Sequence, residues 1–242
     1  PTDADIDKMI AAVNTGLPSA ALTRADVLHA YAGVRPLIDE SDPGEKGGSY
    51  KKSRKAEFID HAEDGQPGFF SALGGKWTTS RHVAAVAVDR IERHLGRRPK
   101  RAATDRIPLG GDSTRNFTRF LTGLRSTYRH VNDSVLANLA RNYGTATDEV
   151  IAEANGDRTH LEPFSPTLPD CGAEVLYAIR REMALTLEDV IFRRTGLGTL
   201  GAPDGDTISR VAALMQSELR WSEDEKARQI ETVTAHFRWG AA

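Results

Sequence analysis

The sequence predicts an α+β chain, a mixed region of a few strands plus helices followed by an all-α helical region. Three observations carry this. Alternating apolar residues appear in the first hundred positions, and 3.6-residue spacing dominates beyond 113. Between them, Arg90, Arg93, Arg97, Arg98, Lys100, Arg101 and Arg106 face only Glu92 and Asp105, which marks a basic join. The expected division is a mixed domain at 1–98, a basic linker at 99–112 and a helical domain at 113–242.

In chain order, Ile6, Met9, Ile10 and Val13 are spaced for a helix that stops near Gly16 and Pro18. Residues 27–34 are short and apolar, ending near Gly33 and Pro36, and read as a strand. Asp, Pro, Gly and Lys crowd 39–48, which is loop chemistry. Residues 55–61 and 69–73 read as two further strands. After Gly74 and Gly75, a helix is expected with Val83, Val86, Ala87, Ile91 and Leu95 on one face, capped by Thr78, Thr79 or Ser80 and closed by Gly96. Beyond 113 no strand is expected, and six or seven helices are. Val135, Leu136, Leu139, Ala140 and Tyr143 mark one, stopped by Gly144, and Val175, Ile179 and Met183 mark another. Thr186 with Asp189 and Ser222 with Glu225 form capping-box patterns. Pro163, Pro166 and Pro169 mark the longest break.

Composition narrows the function classes. The 242 residues are 39% apolar and 27% charged with a net charge of −2, which argues against a dedicated nucleic-acid binder. Cys171 is the one cysteine, so neither an internal disulfide nor a thiolate cluster can form, as suits a reducing compartment. No apolar run approaches bilayer length, and the opening at Pro1 reads as a fragment. The seven histidines show no metal-binding helix spacing. Gly75-Lys76-Trp77-Thr78 only mimics a phosphate loop, and no G-x-G-x-x-G follows a strand.

The cations and glycines are more informative. Arg35, Arg54 and Lys76 stand beside three expected strands and can converge on one anion, arginine as a planar fork and lysine as a point charge. The plain alternative is surface pairing of Arg35 and Arg54 with Asp39 or Glu57. Gly74 and Gly75 let backbone N–H groups approach a flat ligand, and the following helix start favours negative charge. The alternative there is an ordinary strand-to-helix turn.

The stretches VLHAYAGVRPL, SR before a strand, SALGGKWTTSRHVAAVAVD and AEVLYAIRREMALTLEDVIFRRTGLG occur in that order. Together they resemble the C-terminal half of FAD-dependent, aerobic-type glycerol-3-phosphate dehydrogenase, over essentially the whole chain. The resemblance implies a D-amino-acid-oxidase-like fold, in which residues 1–98 are the C-terminal part of the FAD/substrate-binding domain and an α-helical domain follows. It also implies oxidation of sn-glycerol 3-phosphate to dihydroxyacetone phosphate by hydride transfer to FAD, with electrons passed to a quinone. By the same resemblance Arg35 and Lys76 are the catalytic positions, Arg35 and Arg54 bind substrate, and Gly74, Gly75, Lys76, Thr78 and Thr79 bind the cofactor. No metal is implied, and the chain alone is expected neither to hold FAD firmly nor to turn over. A cytoplasmic location is expected. Peripheral attachment to the inner membrane face and a homodimer stay open, as do an oxygen-using oxidase and a non-catalytic helical assembly module.

Overall fold

The computed structural model describes residues 1–33, 56–110, 114 and 116–237. The chain divides into two compact units, residues 33–108 and residues 1–32 with 109–242. The expected division put residues 1–32 with the mixed region; here they belong to the helical unit.

In that helical unit, α1 (Asp3–Gly16) begins with Thr2, whose hydroxyl accepts from the Asp5 N–H, and buries Ile6. Arg24 folds the following turn back on α1 through Asp7 (2.7 Å). The strand expected at 27–34 is not found: residues 27–33 pair with no strand. Their attachment is through side chains instead, His29 lying against Phe192 and Phe237.

Six α-helices follow: α3 (Phe117–Thr127), α4 (Asp133–Tyr143), α5 (Thr147–Ala152), α6 (Gly172–Glu182), α7 (Gly205–Leu219) and α8 (Glu223–His236). A π-helical turn, Asp189–Arg194, lies between α6 and α7. The Thr186–Asp189 box forms in full, Asp189 accepting from the Thr186 N–H (2.9 Å) and the Thr186 hydroxyl from the Asp189 N–H (3.2 Å). At α8 only the cap forms, the Ser222 hydroxyl accepting from the Glu225 N–H (3.1 Å) while the Glu225 carboxylate turns to Arg228 and Gln229. α4 stops at Gly144 as its spacing predicts. Met183 departs from the expected apolar face. It ends α6 in the left-handed conformation and stands exposed.

The helical region is not wholly α. β3 (Pro163–Ser165) and β4 (Leu168–Cys171) form an antiparallel hairpin. Of the three prolines that read as a break, Pro163 and Pro169 sit in strands of three and four residues, too short for an alternation signal, and Pro166 lies in the turn between them.

Two apolar clusters form the core. One gathers Val135, Leu136, Leu139 and Ala140 of α4 with Val150, Ile151 and Ala173. The other gathers Val175 and Ala178 of α6 with Val190, Ile191, Val211, Met215 and Val233. Helix α6 contributes to both. Arg180 on its outer face bonds Glu218 of α7 (2.8 Å) and Glu153 (2.9 Å), which closes the seam.

In the other unit, β1 (Glu57–Asp60) pairs antiparallel with β2 (Phe70–Leu73), Phe58 opposite Ala72. Helix α2 (Ser80–His94) follows. Phe58 and Phe70 stack at 5.5 Å, and Arg90 covers the Phe58 ring while donating to its carbonyl (2.8 Å). None of the described residues in this unit is fully buried. A two-stranded ribbon and one helix do not enclose a core, and Ile91 and Leu95, expected on the packed face, are exposed.

Leu139 is fully enclosed. Leu139→Ala is therefore expected to lower stability by about 2–5 kcal/mol, read from the urea midpoint of the helical unit's circular dichroism.

Candidate functional site

The turn between β2 and α2 is the candidate site. Gly74 and Gly75 carry positive φ, 65° and 93°. A left-handed pair reverses the chain within two residues, which glycine does without a Cβ clash. A Cβ on Gly75 would meet Ala56 Cβ at 3.5 Å and Thr79 Oγ1 at 3.9 Å, ordinary contacts, so conformation rather than space selects glycine there.

Lys76 then caps a short turn, Trp77–Thr79, that leads into α2. The Thr79 hydroxyl accepts from the Lys76 N–H (3.1 Å) and donates to the Lys76 carbonyl (3.0 Å). The Ser80 hydroxyl donates to the Trp77 carbonyl (2.8 Å). Thr79 and Ser80 thus hold the backbone's shape, while Lys76, Trp77 and Thr78 stand exposed. Lys76, Gly74, Gly75, Thr78 and Thr79 are accordingly brought onto one turn. Arg35 and Arg54 lie outside the described residues.

A bared glycine backbone, a helix start and one ammonium group make a surface that can receive the edge of a flat group bearing negative charge. The residues present fit one face of a flavin ring in that way.

A polar cluster in the helical unit escaped sequence reasoning. Glu174 is fully buried at the first turn of α6, accepting from the Cys171 N–H (3.0 Å) and from Asn138 (3.3 Å). Burial, and after it the charge of Asp170, pushes its carboxyl up to about 8. Asp170 accepts from the Gly196 N–H (2.7 Å), and burial raises its carboxyl as well. The Tyr143 hydroxyl, also buried, has no hydrogen-bond partner among the described residues, and Tyr143 lines a cleft of about 830 Å³ with Arg141, Tyr177 and Glu182. The available signal was Glu174 three residues after Cys171, a capping box disguised by cysteine at the cap.

The two units define a class: an α+β protein carrying, on one chain, a glycine turn suited to a flat acceptor group and a helical domain. The family within that class is specific. Residues 102–226 match the model for the C-terminal domain of alpha-glycerophosphate oxidase, and the chain belongs to that family. It is 31% identical to a glycerol-3-phosphate dehydrogenase of Synechocystis over 95% of this chain and 41% of that one. It is 34% identical to the D-erythritol 1-phosphate dehydrogenase of Brucella abortus over 79% of this chain and 37% of the relative. Among solved structures it resembles the Bacillus halodurans glycerol-3-phosphate dehydrogenase complexed with FAD, with a TM-score of 0.73 and 25% identity over 98% of this chain and 45% of that one. The chain thus spans less than half the length of these relatives.

Two outcomes follow from the geometry. Gly75→Ala is expected to cost about 1–3 kcal/mol of local stability through its left-handed conformation, seen as faster amide exchange in α2 with α6 unchanged. Glu174 holds a proton in the folded state that the unfolded chain has lost above its ordinary value of 4.5. Stability is therefore expected to fall as pH rises from about 5 to about 8. In Glu174→Gln that slope becomes shallower, the remainder coming from Asp170, as urea midpoints across this range will report.

Proposed function

We propose that this chain is the C-terminal portion of an enzyme that oxidises sn-glycerol 3-phosphate to dihydroxyacetone phosphate with FAD, electrons passing on to a quinone. The observation that carries this reading is the match to a glycerol-3-phosphate dehydrogenase over 95% of the chain, which takes in both the glycine turn and the helical domain.

FAD, when bound, supplies a ring that accepts two electrons from the substrate carbinol. The chain's own residues do the binding and orienting. Arg35 and Arg54 clamp the dianionic phosphate, each charge-assisted bond contributing about 1.5–3 kcal/mol. Lys76 adds a positive charge beside flavin and substrate, Gly74 and Gly75 let the backbone close on the ring, Thr78 lines it, and Thr79 serves the cofactor by fixing the turn through its hydroxyl. A quinone acceptor sets the working surface at a lipid bilayer, and exposed Arg97, Arg98, Lys100 and Arg101 favour an anionic one.

Two further readings have specific support. The Brucella relative's name favours a four-carbon polyol phosphate as substrate. The family model's description favours oxygen as acceptor. Both keep the same phosphate clamp.

The test is anaerobic bleaching of flavin absorbance in the full-length protein by each polyol phosphate, followed by reoxidation with a soluble quinone or with oxygen under peroxide detection. Glycerol 3-phosphate is expected to bleach fastest and quinone to reoxidise fastest. Arg35→Ala is expected to lower kcat/KM by roughly 10- to 150-fold. An unchanged efficiency would remove the clamp, and the absence of bleaching by any polyol phosphate would remove the function.

A further inference from the structure

Residues 27–33 have neither helix nor strand structure, and 27–32 are part of the helical unit. Two contacts hold them, the Leu28 carbonyl lying close on Gly201 and the ring of His29. That ring stacks on Phe192 at 6.0 Å and 15°, lies 5.1 Å from Phe237 and is 6.2 Å from Tyr31. Phe192 comes from the π-helical turn and Phe237 from the end of α8, themselves 5.1 Å apart. The slot therefore joins three separate segments. It borders a cleft of about 890 Å³.

Three of the charged and titratable groups around this slot, Glu188, His236 and Arg193, are already engaged. Among the described residues, the charged and titratable groups facing it are Glu188 and Arg193 from the π-helical side, His236 from α8, Tyr31 from the same segment and the Pro1 amino end. Glu188 is 2.7 Å from His236 Nε2, and Arg193 donates to Asp189 (2.8 Å). His29 Nδ1 is shut from solvent and has no hydrogen-bond partner among the described residues.

A neutral imidazole suits such a slot, and an imidazolium does not. Protonation puts a second N–H into a place without an acceptor, which is unfavourable, and more so for a charged group. A cation–π contact with Phe192 offsets part of this without giving the N–H an acceptor. Burial, and after it the charge of His236, holds the ring below the usual imidazole range.

We propose that His29 is a proton-operated latch: neutral, it pins residues 27–33 between Phe192 and Phe237, and protonated, it leaves the slot and frees them. The folded ring binds its proton less readily than the unfolded one. The latch is therefore fully formed above the ordinary imidazole value of about 6.5 and is lost as pH falls through the lower folded value.

The test is a carbon-13 histidine titration of the intact protein by nuclear magnetic resonance, with the His29 signal identified by its contacts to the Phe192 and Phe237 rings. Neutral His29 is expected to resonate upfield of exposed His82 through the ring currents of its neighbours. It is expected to titrate below a free acetyl-histidine amide in the same sample and to lose the upfield displacement as it ionises. Cleavage after Tyr31 by a protease active across this range is expected to accelerate on acidification in the wild type but not in His29→Phe, which fills the slot without titrating. Ionisation at the same pH as the free acetyl-histidine amide would overturn the latch, and so would an upfield displacement that survives ionisation. If His29→Phe does not fold, the wild-type titration decides alone.

Discussion

A carboxyl group held out of water at the start of α6 is the constraint on which the helical unit depends. Glu174 closes the first turn of that helix by accepting from the Cys171 N–H, where β4 ends and α6 begins. The helix start favours negative charge there, but burial and Asp170 oppose it more strongly. A neutral acid still accepts the capping bond, so the turn keeps its geometry while the proton settles the electrostatics. Because α6 contributes to both apolar clusters, the position of its first turn is shared by everything packed around it.

The other unit obeys a different constraint. Its glycine turn is shaped by backbone dihedrals and by the Thr79 and Ser80 hydroxyls rather than by a surrounding core. Such a turn offers its peptide groups outward. Lys76 and Thr78 are presented, whereas Thr79 faces its own backbone.

Much of this was legible in the sequence because the signals are local. The helix spacings, the Gly144 stop, both serine and threonine caps and the Gly74-Gly75 reversal all involve residues within a few positions of each other. The misses were of two kinds. Short strands around Pro163 and Pro169 carry too few residues to alternate visibly, and an apolar stretch at 27–33 looked like a strand although its partners are side chains more than 150 positions away. No local pattern announces that His29 will meet Phe192 and Phe237, or that Asp170 will sit against Gly196. The shape of the glycine turn was legible for the same reason as the helices, while Arg35 and Arg54 of the expected site lie outside the described residues. The five residues 74–76, 78 and 79 share one turn, and nothing beyond the turn was needed to bring them together.

The π-helical turn at Asp189–Arg194 accommodates one residue more than an α-turn would over the same rise. Each residue of a regular helix advances the side-chain direction by about 100°. Loss of one codon within this turn would restore regular winding yet swing Phe192 or the residues after it by that angle, emptying the wall against which His29 stacks. A chain-length polymorphism of this kind leaves composition and hydropathy nearly untouched. It would mark, across species, which relatives have kept the slot and which have dispensed with it.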